Sequence, residues 1–160
     1  MRTALAATWT LLLGMALLML GAGLQGTLVG LRASIEGFPT LVAGFMLAAY
    51  YLGYMAGSVM TPGLVNSVGH VRVFAALTSL ASVLILVQGV FVDPVSWTLV
   101  RILFGFCFAG IYVVAESWLN GRVDNEHRGL LLSIYMLVCY GGLGLGQLLL
   151  NVADPRSTLL

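Results

Sequence analysis

The chain has 160 residues, of which 60% are hydrophobic and 8% charged. Soluble domains carry about 25% charged residues, so this composition excludes a water-facing globule. A formal net charge of +1 also excludes the strongly basic surfaces that bind nucleic acid.

An apolar run of about 20 residues crosses a bilayer, and five such runs follow one another. The first extends from about Leu5 to Val29, with no charge between Arg2 and Arg32. Its uncharged stretch is far longer than the 7–15-residue core of a cleaved signal peptide, so it is predicted to remain as a span. The second runs from about Leu41 to Met60 and the third from Val73 to Val92. The fourth, about Ser96 to Trp118, is interrupted by Arg101 and closes at Glu116. The fifth runs from about Leu130 to Val152. The fold class is therefore an all-α polytopic helix bundle, with residues 1–160 read as one transmembrane domain in the lipid bilayer.

Proline is tolerated at helix starts and beyond helix ends, where its missing N–H costs nothing. Pro39, Pro62, Pro94 and Pro155 are accordingly predicted to mark the limits of spans, none lying inside one. On that reading Pro62 opens a connector that lasts until Arg72. With the N-terminus on the cytoplasmic side, Arg2, Arg72, Arg122 and Arg128 lie inside and Arg32 and Arg156 outside, as the positive-inside rule favours.

Small residues recur every fourth position. Ala49, Gly53 and Gly57 do so in the second span, Gly105 and Ala109 in the fourth, and Gly142 and Gly146 in the fifth. Such stripes let helices approach closely in lipid; tight packing and a sliding surface both remain open. Cys107 and Cys139 lie inside apolar runs and read as small packing residues rather than as a disulfide or metal pair. No cofactor is implied.

Polar groups inside the spans carry the functional argument. Arg101 is the most costly, at roughly 2.5–3.5 kcal/mol for a charge at the bilayer centre. It is either functional or snorkels to the headgroups. Gln25 and Gln147 lie near the same membrane face on this topology, so Gln25, Arg101 and Gln147 are candidates for one polar vestibule, or for hydrogen bonds between helices. Tyr50, Tyr51 and Tyr54 sit mid-span, away from the interfacial level that tyrosine favours. Tyr50 and Tyr54 share a face and either line a path or pack. Arg72 and Glu116 close their spans on the same side and are candidates for a gating ion pair, though an interfacial pair contributes little. Neither histidine lies in a span, and no nucleophile–base or paired-acid arrangement supports an enzyme.

The segment Pro62-Gly63-Leu64-Val65-Asn66-Ser67-Val68-Gly69-His70-Val71-Arg72 resembles the Gly-x-Leu-x-Asp-x-x-Gly-x-x-Arg loop that joins helices two and three in the major facilitator superfamily. Leu64, Gly69 and Arg72 match; Pro62 and Asn66 replace the Gly and the Asp. Arg101 with Gly105 and the pair Arg128-Gly129 also fit the family's fourth and fifth helices. Ile35-Glu36-Gly37-Phe38, Val68 to Phe74, Glu116-Ser117-Trp118-Leu119-Asn120 and Gly146-Gln147 are similar to its YcaD-like bacterial branch. The family's Gly-Pro antiport signature is absent from the fifth span.

The resemblance implies the N-terminal part of a secondary transporter in the bacterial inner membrane, working by rocking two six-helix halves. It implies a cytoplasmic gating segment of Leu64, Asn66, Gly69, Arg72 and Glu116, and a cavity faced by helices one, two, four and five. Five spans are one short of the six in such a half, and a C-terminal half would be missing. A non-transporting truncated product and a short helical subunit completed by a partner stay open as alternatives. The small-molecule substrate and any proton coupling are left open.

Overall fold

A computed structural model describes residues 2–122 and 124–150, with side chains from residue 8 onward except those of 123 and 125. It is all-helical: α1 (Arg2–Ile35), α2 (Thr40–Val68), α3 (His70–Val90), α4 (Pro94–Asn120) and α5 (Asn125–Leu149), with no strand among the described residues. Every helix has a segment long and apolar enough to cross a membrane. At 1.5 Å per residue the shortest, with 21 residues, is about 31 Å long, close to the hydrocarbon thickness. The expected Val152 limit of the fifth span, together with Asp154, Pro155, Arg156 and Leu159-Leu160, lies outside the described residues.

The helices form two compact units. One contains α1 as far as Arg32 and the chain from Leu119 onward, which includes α5. The two helices meet backbone to backbone. A Cβ on Gly23 would collide with the Leu143 carbonyl, one on Gly146 with the Leu20 carbonyl, and one on Gly142 would lie 2.9 Å from both the Ala16 carbonyl oxygen and Met19 Cβ. Such proximity is how apolar helices gain van der Waals contact where water supplies no driving force.

The other unit, Ala33–Trp118, holds α2, α3 and α4. Its entry is a glycine-closed turn. Gly37 has φ +74°, its N–H donates to the Ser34 carbonyl at 3.2 Å, and the Phe38 N–H donates to the Ala33 carbonyl at 3.0 Å. These are the two bonds of a Schellman motif, which satisfies the last carbonyls of α1. α2 then buries Ala49, Gly53, Gly57, Thr61 and Val65, one residue per turn. Gly53 and Gly57 press on the Ile102 and Phe106 carbonyls of α4, and Gly105 of α4 presses on the Tyr50 carbonyl. The α2 and α4 stripes are thus two sides of one close contact, and packing explains them. α3 buries Val73, Leu77, Ala81, Leu84 and Gln88 and leaves Val71, Val83, Leu86 and Val90 exposed. α4 is the most enclosed helix, with 61% of its apolar window buried against 22–33% in the others.

One expectation fails. Pro62 does not end α2; it lies inside it, and the helix runs on to Val68. The predicted connector from Pro62 to Arg72 shrinks to Gly69 alone, which caps α2 and opens α3. Two physical facts account for this. The buried every-fourth-residue stripe continues past the proline through Val65, so tertiary packing holds the chain helical. Pro62 itself is exposed and removes only the bond to Ser58, about 33 Å along a helix that has by then crossed the hydrocarbon.

Candidate functional site

The polar side chains expected along the spans converge most clearly between α2 and α4. Arg101 lies two turns into α4 and is 8% exposed. Its guanidinium carbon is 5.1 Å from the centroid of the Tyr50 ring, a cation–π distance. Tyr50 also stands 6.0 Å from the Tyr54 ring and 6.4 Å from the Phe104 ring, and Phe104 stacks at 4.6 Å on Phe108. Tyr51 is 67% exposed but meets Tyr50 edge-on at 5.4 Å. Gly105 makes this assembly possible. Its missing side chain lets α4 lie directly on the Tyr50 carbonyl and the Tyr54 N–H, so the Tyr50 ring of α2 meets both Phe104 and the Arg101 guanidinium of α4.

The start of α4 is built to hold Arg101 in place. Asp93 accepts the Val95 and Ser96 N–H groups, each at 3.0 Å, as an N-cap, and Pro94 fills the first helical position. Hydrogen bonds from the Ser96 hydroxyl, the Ser96 N–H and the Val95 N–H hold the Asp93 carboxyl below its usual range. Trp97, one turn before Arg101, is 3% exposed. Its indole N–H donates to the carbonyls of Gln88 at 3.0 Å and Phe91 at 2.7 Å, and its ring meets Phe38 edge-on at 5.4 Å. Trp97 thereby ties the turn before α2 and the end of α3 to the first turn of α4. Neither Trp97 nor the Asp93 cap was anticipated from sequence, although Asp-Pro at the head of an apolar run is a helix-start signal.

Gln25 and Gln147 lie in the other unit. Gly146 abuts Leu24 and Leu20, so Gln25 and Gln147, each one residue further on, sit at one level of the α1–α5 contact. Gln25 is 8% exposed and Gln147 is exposed.

The segment expected to gate the cytoplasmic mouth is rearranged by the longer α2. Leu64 and Asn66 are helical and exposed, not loop residues, and Arg72 is an exposed residue of the first turn of α3. Glu116 is half-buried in α4. No ion pair joins Arg72 to Glu116 among the described residues. Gly69 is the one irregular residue, with φ +95° and ψ 154°, a region open essentially to glycine alone. Arg128 of α5 donates through Nη2 to the Asn120 carbonyl at 3.4 Å, supplying a cation to the last turn of α4. Cys107 and Cys139 are free and buried. The described residues contain no group of ligands able to hold a metal ion.

No family model matches the chain, and no solved structure matches it. Among curated proteins it is 34% identical over 141 residues to the uncharacterized MFS-type transporter YcaD of Salmonella arizonae and of Salmonella typhi. It is 33% identical over the same length to the MFS-type transporter Ent638_1421 of Enterobacter sp. (strain 638). In each case 88% of this chain is covered, and the chain spans 37% of the relative's length. Sequence and helical build agree, and over those 141 residues the chain is similar to uncharacterized MFS-type transporters, YcaD among them.

Proposed function

We propose that these helices form the N-terminal part of a secondary transporter of the bacterial inner membrane, and that the face carrying Tyr50, Tyr54 and Arg101 lines the path of a small solute. The observation that supports this most is the placement of Arg101. Intramembrane ions are costly and are retained where they face a cavity or a partner. Here a buried cation lies over the Tyr50 ring, two turns after a helix start fixed by the Asp93 cap and by Trp97. In a rocking-bundle transporter the site lies at the midplane between two repeats, so the helices described here would contribute one wall. Since the relatives are more than twice as long, the working unit would include further helices. Gln25 and Gln147 would offer amides from the α1–α5 unit, and Gly69, with Leu64, Asn66, Arg72 and Glu116, would form the cytoplasmic gating segment.

The test is uptake of a labelled metabolite panel by proteoliposomes containing the native membrane protein. Arg101→Ala should abolish accumulation of whichever solute the wild type carries, while membrane insertion is unchanged. Normal uptake by the variant would remove Arg101 from the path.

A further inference from the structure

We propose that the Thr61–Pro62 turn of α2 is a two-state bend, straight in this structure, that swings the last turns of the helix away from α4. Those turns carry Leu64 and Asn66 and end at Gly69. The bend goes beyond the transport reading and stands or falls without it.

The turn holds a donor without an acceptor. Thr61 is 0% exposed, and its Oγ1 has no hydrogen-bond partner among the described residues. Threonines in the other helices turn back along their own backbone. Thr27 donates to the Gly23 carbonyl at 3.4 Å, Thr78 to that of Phe74 at 2.9 Å and Thr98 to that of Pro94 at 2.6 Å. Thr61 faces α4 instead. A Cβ on Gly110 would lie 2.8 Å from its Oγ1 and 3.6 Å from its Cγ2, and would collide with Leu77 Cδ1 of α3. Three helices meet around this hydroxyl, and a buried donor left unpaired is costly.

The same turn holds an acceptor that has lost its ladder donor. Pro62 has no N–H to give the Ser58 carbonyl, and Thr61 stands three residues after Ser58. A hydroxyl bonding the carbonyl three residues back is already in use here: Thr78 donates to Ala75 at 3.1 Å and Ser58 to Met55 at 2.8 Å. In hydrocarbon, Ser and Thr side chains are among the groups that satisfy carbonyls freed by proline. Packing keeps this pair apart. Gly57 presses on the Phe106 carbonyl, Thr61 is wedged at Gly110, and Val65 is buried one turn on. Turning the hydroxyl back to Ser58 means leaving that contact. Such back-bonding bends helices, and the bend falls at the proline, where the ladder is already broken. The straight form keeps the packing and leaves donor and acceptor unpaired; the bent form pairs them and gives up packing. Neither satisfies both demands, so the two are close in free energy and both are populated.

Spin labels test this on the purified native protein in nanodiscs. Ser67→Cys at the end of α2 and Ser117→Cys near the end of α4 are both exposed positions, and the native Cys107 and Cys139 are buried. Pulsed dipolar spectroscopy between the two labels should show two distance populations in the otherwise wild-type chain. Thr61→Val keeps the shape and loses the donor, so it should shift the ratio toward the straight form by at least ~5-fold. Pro62→Ala returns an N–H to the Ser58 carbonyl and should shift it the same way. Thr61→Ser keeps the donor and should retain both populations. Thr61→Val should also melt no lower than wild type, because the straight form has no hydroxyl bond to lose. A single population in wild type, a ratio unmoved by Thr61→Val or by Pro62→Ala, or a lower melting point for Thr61→Val would each overturn the bend.

Discussion

At Gly53 a single added carbon decides whether α2 and α4 can touch, because a Cβ there would meet the Ile102 carbonyl, which is backbone and cannot swing aside. The same holds at Gly105 against the Tyr50 carbonyl. Gly44 lies on the same helix as Gly53 with nothing within 4 Å of its virtual Cβ. Gly53→Ala and Gly105→Ala should therefore each destabilise by about 1–3 kcal/mol through overpacking. Gly44→Ala should be neutral or slightly stabilising, since alanine is the better helix former. Thermal unfolding in one detergent separates these outcomes; equal melting of all three variants would remove the close contact. Asp93 makes a second prediction. Its carboxyl is held below the usual range by the groups it caps, so its contribution is present at neutral pH and lost as pH falls through the depressed folded value. Unfolding midpoints should decline on the acid side, and Asp93→Asn should flatten part of that decline. The small-residue spacing made the α2–α4 contact legible in sequence. The role of Trp97 was not, because its indole bonds to two carbonyls supplied by the far end of α3, and no local pattern encodes a partner in another helix.

Helix existence could be read directly from hydropathy and length, and all five spans appear where the apolar runs lie. Their ends could not. Apolar periodicity marks where a helix must be dry, whereas the ends are set by caps and by contacts beyond the dry zone. α2 illustrates the point: proline reads as a stop, but Thr61 and Val65 are buried on either side of it, and that burial outweighs one absent hydrogen bond. Hydrogen exchange tests the longer helix. Amides of Val65 to Val68 should be protected as part of α2, as they would not be in a Pro62–Arg72 loop. The α2–α3 junction then depends on one residue. A Cβ on Gly69 would have open space around it, yet φ is +95°, so the obstacle is the backbone and not packing. Gly69→Ala should cost on the order of 1–3 kcal/mol and lower protection at the end of α2 and the start of α3. A variant with wild-type melting and exchange would show that the junction relaxes without strain.

For the whole chain, composition pointed to the bilayer, and the ordered motifs pointed to the same MFS-type transporters to which 88% of the sequence is similar. The candidate site was half legible. Arg101, Tyr50 and Tyr54 stand out as polar groups at apolar depth, but Phe104 and Phe108 look like ordinary core until the structure sets them beside the tyrosines. Orientation rests on arginine placement and makes a prediction for the entire molecule. If five spans alternate from a cytoplasmic N-terminus, Arg72, Arg122 and Arg128 face the cytoplasm and Arg32 faces outward, which is the arrangement that positive-inside insertion favours. Cysteine labelling tests this cleanly, because Cys107 and Cys139 are 0% and 2% exposed and give a silent background. A membrane-impermeant maleimide added to intact cells should label Glu36→Cys and Val92→Cys. It should reach Ser67→Cys and His127→Cys only after permeabilisation. The opposite pattern would invert the molecule and place the Arg101 end of α4 toward the cytoplasm, making Gly69 part of the outer mouth. Labelling of Glu36→Cys and Ser67→Cys from the same side would mean that α2 does not cross the bilayer, and the path assigned to its tyrosines would fall with it.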